Sequence, residues 1–348
     1  MILYDFSSGF HRATFTATSN IKPHKKDGKF ITEEFIGVVI GRVFSEILEF
    51  HKQYYKKYKD FIVCCDDHSH KYWRNDLYPE YKGQRTEKRA KSEINWKEVS
   101  KHIALFETIL SEYMNFKVIN TEKAEADDII CFLTRKYCNF EPILILSPDK
   151  DFKQLHKFGD IKQYSSITNK FVIDDERHME FYHPLIGDKS DNVPRIVDFS
   201  EFTKEFKEFY KKSELEFYNL DYVTQNKIKE LFFKEYPNSE VFETLRFGKS
   251  TVDKMIKKFG SLDNYLDSNP IYRLNYERNK KLVLDSEIPS NIESSILTQF
   301  LKAKKELNFE KVETYLKYYE LYDVIQDLRD YINTIGEKKE LTVENCNW

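Results

Sequence analysis

Three short apolar runs in this chain each end on an aspartate: MILYD at 1–5, FIVCCD at 61–66 and ILILSPD at 143–149. Apolar runs this short, without polar alternation, fit strands buried on both faces, and such strands belong to parallel sheets covered by helices. Segments of helical period lie between them. Residues 32–59 form one; residues 95–114 carry Trp96, Val99, Ile103, Phe106, Ile109 and Leu110 on one face and lead into the short run FKVIN; EADDIICFLTRKY at 125–137 forms a third. The alternation predicts an α/β fold with a mainly parallel sheet flanked by helices, whose working edge lies at the carboxyl ends of the strands. That edge would gather the terminal aspartates.

Composition narrows the class. With 348 residues, 41% hydrophobic and 32% charged, the chain reads as soluble and globular, one large domain or a domain with an elaborate lobe. Its 55 basic residues nearly cancel 58 acidic ones, so any surface for nucleic acid has to be local. Cysteines at 64, 65, 131, 138 and 346 form no CxxC pair and suit packing in a reducing compartment. The start of the chain lacks a signal-peptide layout and no apolar segment is long enough to span a bilayer, which predicts a cytoplasmic protein.

A local basic surface is available at 67–94. It holds Lys71, Arg74, Lys82, Arg85, Lys88, Arg89 and Lys91, interleaved with Tyr72, Trp73, Tyr78 and Tyr81. A solvated helix face would look similar, yet cations beside aromatics can meet both phosphates and bases. The region 198–335 reads as helix-rich, its part 198–246 without an interpretable motif, and the last residues read as a poorly ordered tail.

The acids form a set: Asp5; Asp66 beside Asp67; Glu125, Asp127 and Asp128; Asp149 and Asp151; and Asp188 and Asp191 in the loop LIGDKSDNVP. Singly each has an ordinary reading, as a strand-end turn or an acidic helix start. Together in one cleft they would repel strongly unless cations were bound. All-oxygen ligands suit Mg²⁺ or Mn²⁺ rather than zinc, and two such ions about 4 Å apart can activate water and hold a phosphodiester. DKDFKQL lacks the Gly and later Glu of a calcium loop. GKST at 248–251 ends like a phosphate loop, but Glu243 stands where Gly is required, which excludes an ATP site. His68, His70, His156 and His183 show no metal-ligand spacing.

In order and spacing these pieces resemble the five-prime nuclease superfamily of flap endonucleases and 5'-to-3' exonuclease domains, most closely its T-even bacteriophage RNase H branch. The resemblance rests on YDFS, CCDD with YWRND, YPEYKGQR, EADDII, LSPDKDFKQLHKF and GDKSDN, then on FGKSTVDKMIKKFGSLDNYL, YERNKKLVLD and IPSNIESSI. It covers about 1–195 and 247–300.

The resemblance implies a PIN-like nuclease core over 1–195 with a helical arch at about 67–94. A helical DNA-binding lobe over 196–335 would carry a helix–hairpin–helix-like element at 247–266, before a tail at 336–348. Asp5, Asp66, Glu125, Asp127, Asp149 and Asp151 would form or support the metal centre, Asp188 and Asp191 its second-metal side, with two Mg²⁺ or Mn²⁺ ions. Asp149 and Asp151 would be catalytic, with Asp128 structural. Lys82 would meet the scissile phosphate with Arg85 as a second contact, either acting on the reaction or only binding DNA. Arg74, Tyr81 and Arg89 are further candidate nucleic-acid contacts. Lys249, Ser250 and Thr251 would present a phosphate grip, with Ser250 or Thr251 capping a helix that buries Val252, Met255, Ile256, Phe259 and Leu262. After its last acids the chain reads DNVPRI where the family often has DNxPG.

The implied activity is metal-dependent hydrolysis of DNA flaps, 5' ends and RNA primers in RNA/DNA hybrids during viral replication in an infected bacterial cell. A monomer is expected, with a replication clamp and a single-strand-binding protein as implied partners. The rivals are a noncatalytic branched-DNA-binding module of the same fold and a PIN-type single-stranded ribonuclease.

Overall fold

The computed structural model describes the chain except residues 21–24, 27–28, 31, 174–178, 197–199, 213–219, 221, 238, 240–241, 245–246, 304–305 and 341–348. In chain order it runs through β1 (Ile2–Asp5), α1 (Phe6–Asn20), a small hairpin of β2 (Lys25–Lys26) and β3 (Lys29–Phe30), α2 (Thr32–Tyr58) and β4 (Phe61–Cys65). Two short helices follow, α3 (Trp73–Leu77) and α4 (Gln84–Ala90), then α5 (Trp96–Tyr113), β5 (Lys117–Asn120), α6 (Ala126–Tyr137) and β6 (Ile143–Leu146). After a 3₁₀ turn at Lys150–Leu155 come β7 (Ile161–Ser165) and β8 (Lys170–Phe171).

The sheet order is β5-β4-β1-β6-β7-β8, parallel except for the β7–β8 pair. Every residue of β1, β4 and β6 is buried, because helices cover both faces. The period of two sorts the side chains: Ile2, Tyr4, Phe61, Val63, Cys65, Leu144 and Leu146 join the core on one face. Leu3, Ile62, Cys64, Ile143 and Ile145 join the core on the other. Hence the absence of alternation in the sequence.

α1 is the element the sequence reading lacks. FSSGFHRATFTATSN is rich in Ser and Thr, which compete with helix hydrogen bonding. Here the hydroxyls bond back along the helix instead, Thr14 to the Phe10 carbonyl at 2.8 Å and Thr16 to that of Arg12 at 2.8 Å. Phe6, Phe10, Ala13 and Ala17 supply its buried stripe.

The chain divides into two compact units, Met1–Met179 joined by the chain from Leu284 onward, and Glu180–Val283. This differs from a core ending at 195 followed by one C-terminal lobe. The helices Phe309–Tyr318 and Tyr322–Glu340 place Val312, Leu316, Ile325 and Leu328 in the same core as β1. The last helix also runs through Glu340, past the expected start of the tail at 336, while 341–348 lie outside the described residues.

Within the second unit, α7 (Met179–Ile186) contributes Leu185 to a core with Val252, Tyr265 and Leu266 from helices Lys249–Phe259 and Leu262–Asp267. Met255, Ile256, Phe259 and Leu262 pack against it, as the pattern predicts. Gly248, not Ser250 or Thr251, occupies the N-cap, so those two residues stand inside the first turn. The segment without a motif supplies α8 (Lys204–Tyr210) and the helix Tyr222–Glu235 around a small Phe206–Phe232 cluster.

Leu328→Ala should lower the stability of the sheet-bearing unit by about 2–5 kcal/mol, the usual cost of emptying a fully buried leucine site. Urea unfolding followed by far-UV circular dichroism checks this. A C-terminal helix independent of the sheet would leave the main transition unmoved.

Candidate metal centre

The chain leaves β1 toward β4 on one side, and leaves β6 toward β7 on the other. The crevice between β1 and β6 is therefore the switch point of the sheet, where open α/β folds place ligands. Asp5 ends β1, and Asp149 stands just past β6. Asp66 follows β4, and Glu125 and Asp127 open α6. These five carboxylates share one electrostatic neighbourhood. Asp5 feels Asp66 and Asp149; Asp127 feels Asp149, Asp5 and Glu125.

The loop after β6 is stitched in place. Ser147 donates its hydroxyl to Asp5 Oδ2 at 2.7 Å and accepts the Asp149 N–H at 3.2 Å. Gln163 of β7 donates to the carbonyls of Ser147 and Asp149 at 2.9 and 2.6 Å. Asp149 Oδ1 accepts the Asp151 N–H at 2.9 Å, which starts the 3₁₀ turn carrying half-buried Asp151.

Burial and crowding both show in the proton affinities. Burial, offset by the Ser8 N–H and Ser147 hydroxyl and reinforced by Asp66 and Asp149, pushes the Asp5 carboxyl up to about 7. Burial pushes Asp127 well up too, against the pull of Lys82 and with the push of its acidic neighbours. Asp66 goes the other way. Burial opposes its charge, but the Lys82 ammonium and the Ala126 N–H at 2.7 Å hold it below the ordinary carboxylate range.

Glu125 is buried and held on both oxygens. Its Oε2 accepts from Arg74 at 2.9 Å and from the Tyr81 hydroxyl at 3.0 Å, while Oε1 pairs with Lys82 Nζ. Arg74 is itself committed to Asp128, with contacts of 2.9 and 3.1 Å, and Trp73 Nε1 donates to the same carboxylate at 3.0 Å. Asp128 also accepts the Glu125 N–H at 2.9 Å, so it is a structural acid at the start of α6.

Two residues expected to contact nucleic acid are turned inward. Arg74 is 6% exposed and Tyr81 5%, and both face Glu125 rather than solvent. The Arg74 guanidinium is forked onto the buried Asp128 carboxylate. Arg85 is half-buried, and exposed Arg89 lies 5.4 Å over the Trp96 ring. The residues without a sequence signal are Ser147 and Glu107. Glu107 sits among apolar neighbours of α5, bonded to Asn120 at 2.9 Å, with burial chiefly pushing it up to about 7.

Asp188 and Asp191 belong to the second unit. Asp188 Oδ1 accepts the Ser190 N–H at 2.6 Å, and Oδ2 meets His183 Nε2 at 3.1 Å, which with the Ser190 bonds holds this acid far below its ordinary range. Gly187 permits this loop. Its φ is +69°, and a side chain there would stand 2.4 Å from the Val193 carbonyl. Lys249 is exposed, 5.5 Å over the Tyr182 ring, at the start of the helix that also holds Ser250 and Thr251.

The donor set of the first unit fits hard divalent cations. It is all carboxylate oxygen, and among the described residues no hydrogen bond to the Asp127 carboxylate occurs.

The sequence profile of the 5'-3' exonuclease N-terminal resolvase-like domain matches residues 1–183, more than half of the chain. The chain belongs to the 5'-3' exonuclease family. It is 36% identical over 151 residues to ribonuclease H of Enterobacteria phage T4, covering 42% of this chain and 49% of that one. It is 31% identical over 176 residues to a 5'-3' exonuclease of Buchnera aphidicola, covering 47% and 58%. The chain thus spans about half the length of these curated relatives. A zinc-bound T5 5'-exonuclease structure aligns over 94% of this chain and 98% of its own at 15% identity, with a TM-score of 0.48. Among the described residues of this family member, no helix is long and apolar enough to cross a membrane.

Two measurements probe the centre without substrate. The Asp5 carboxyl at about 7 when folded, against 3.8 as its ordinary value, holds its proton more tightly in the native state. Its stabilising contribution is complete below pH 4 and is lost as pH rises through 7, by as much as about 4 kcal/mol. Urea melts in chelator at pH 5 and pH 8 should therefore favour Asp5→Asn over wild type only at the higher pH. Arg74→Met, which leaves Glu125 and Asp128 buried without their guanidinium, should cost about 3–5 kcal/mol in the same melts.

Proposed function

We propose that this chain is a divalent-metal-dependent 5' nuclease that hydrolyses phosphodiesters at flaps, at 5' ends and in RNA primers paired to DNA. The convergence of Asp5, Asp66, Glu125, Asp127 and Asp149 on the β1–β6 switch point carries this reading. These five, with Asp151, would hold Mg²⁺ or Mn²⁺, two ions in all. Bound there, the ions supply an acidified water and charge for the phosphoryl oxygens.

The chain's own residues do the rest. In this reading 67–94 is the arch of a PIN-like core, with Lys82 and Arg85 as the cations that meet the scissile phosphate and Arg89 a weaker contact. Asp149 and Asp151 orient the attacking water. Its oxygen bonds to phosphorus as the bond to the 3' oxygen breaks, and one of its protons ends on that oxygen, which leaves a 5' phosphate and a 3' hydroxyl. The helix start at 248–251, with Lys249, Ser250 and Thr251, would grip duplex backbone. The setting is viral DNA replication in the cytoplasm of an infected bacterium, as a monomer working beside a replication clamp and a single-strand-binding protein.

A panel of 5' flap, nicked duplex, RNA/DNA hybrid and single-stranded RNA, with and without Mg²⁺, tests the reading. Cleavage of the first three that stops with chelator is expected. Cleavage of single-stranded RNA alone would favour a PIN-type ribonuclease, and binding without cleavage a noncatalytic module. Asp149→Asn should lower the rate by about 10²–10³-fold or more while retaining most DNA binding.

A further inference from the structure

Glu125 meets two cations in different ways. Arg74 is fixed: its side chain is 7% exposed, stacked 4.4 Å over Trp73 and shared with Asp128. Lys82 comes from a turn between α3 and α4, with a left-handed φ of +55° and Gly83 next to it. Its ammonium sits near the rings of Tyr72 and Tyr81, 5.6 and 5.2 Å from their centroids, and pairs with Oε1 of Glu125. Oε2 is already taken by Arg74 and Tyr81. Only Oε1 can change partner.

We infer that Lys82 is an exchangeable counter-ion of the acidic centre: a divalent cation must displace it from Glu125, and a substrate phosphate draws it away. The inference rests on the metal-dependent reading of the centre. An ammonium on a flexible four-carbon stem suits such an exchange, whereas the guanidinium forked onto Asp128 does not. A cation at Oε1 and an ammonium at Oε1 exclude each other by charge and by space. A phosphate offers Lys82 an alternative partner and so removes its competition with the metal. By linkage, the bound metal then strengthens the hold of Lys82 on the phosphate to the same degree. The acids would thus carry their own cation until substrate arrives.

Isothermal titration of the full chain with Mn²⁺ tests this, using wild type, Lys82→Met and Lys82→Arg. Lys82→Met keeps length but loses charge, and should bind Mn²⁺ at least about threefold more tightly than wild type, since removing one close cation is worth that or more. Lys82→Arg keeps the competitor and should stay near wild type. A short 5'-phosphorylated single-stranded oligonucleotide with phosphorothioate links should bring the wild-type to Lys82→Met ratio of Kd close to 1. Equal Kd values without oligonucleotide overturn the exchange, as does a ratio that the oligonucleotide leaves unchanged. Absence of Mn²⁺ binding in all three proteins instead removes the metal-centre reading, and the inference with it.

Discussion

Repulsion among carboxylates at the carboxyl end of β1 is the constraint on which the rest of this structure depends. Asp5, Asp66, Glu125, Asp127 and Asp149 are brought together by backbone geometry, and their charges oppose it. The chain answers with hydrogen bonds and cations placed by neighbouring elements. Ser147 and the Ser8 N–H serve Asp5, the Ala126 N–H serves Asp66, and Lys82 serves Glu125. Burial first, and the neighbouring acids after it, raise the proton affinity of Asp5 and Asp127 despite those partners. Under the proposed function a divalent cation would meet the remainder.

That strain can be held because its supports are rigid. β1, β4 and β6 are buried on both faces, so the strand ends cannot drift apart without opening two cores. The C-terminal helices Phe309–Tyr318 and Tyr322–Glu340 close one of those cores, although they lie far from the acids in sequence. The buried Arg74–Asp128–Trp73 network fixes the start of α6 in turn. Burying such a network is weak evidence for stability by itself. Here it sets which oxygen of Glu125 remains exchangeable.

Much of the centre was legible in the chain. Strand-terminal acids can be read wherever an apolar run stops, and the lack of alternation in those runs states that both faces are covered. Asp5, Asp66 and Asp149 follow from that alone. Arg74 and Tyr81 did not, because a basic-aromatic segment looks the same whether its cations face solvent or a buried acid. Only the pairing partner separates the two, and Glu125 lies 51 residues from Arg74 and 44 from Tyr81 in sequence. α1 was hidden for a local reason, since its Ser and Thr hydroxyls can serve either a turn or a helix. The buried face of Phe6, Phe10, Ala13 and Ala17 decided it.

The sequence by itself determined the layered class of the fold and the acidic character of its working edge, because period and residue type are local properties of a strand. The tertiary structure alone decided which cation each acid keeps and which strands flank the crevice. It also decided that 284–340 joins the sheet rather than a separate lobe. Those are contacts between distant segments, and their energies exist only once packing has put the groups within a few ångströms of one another.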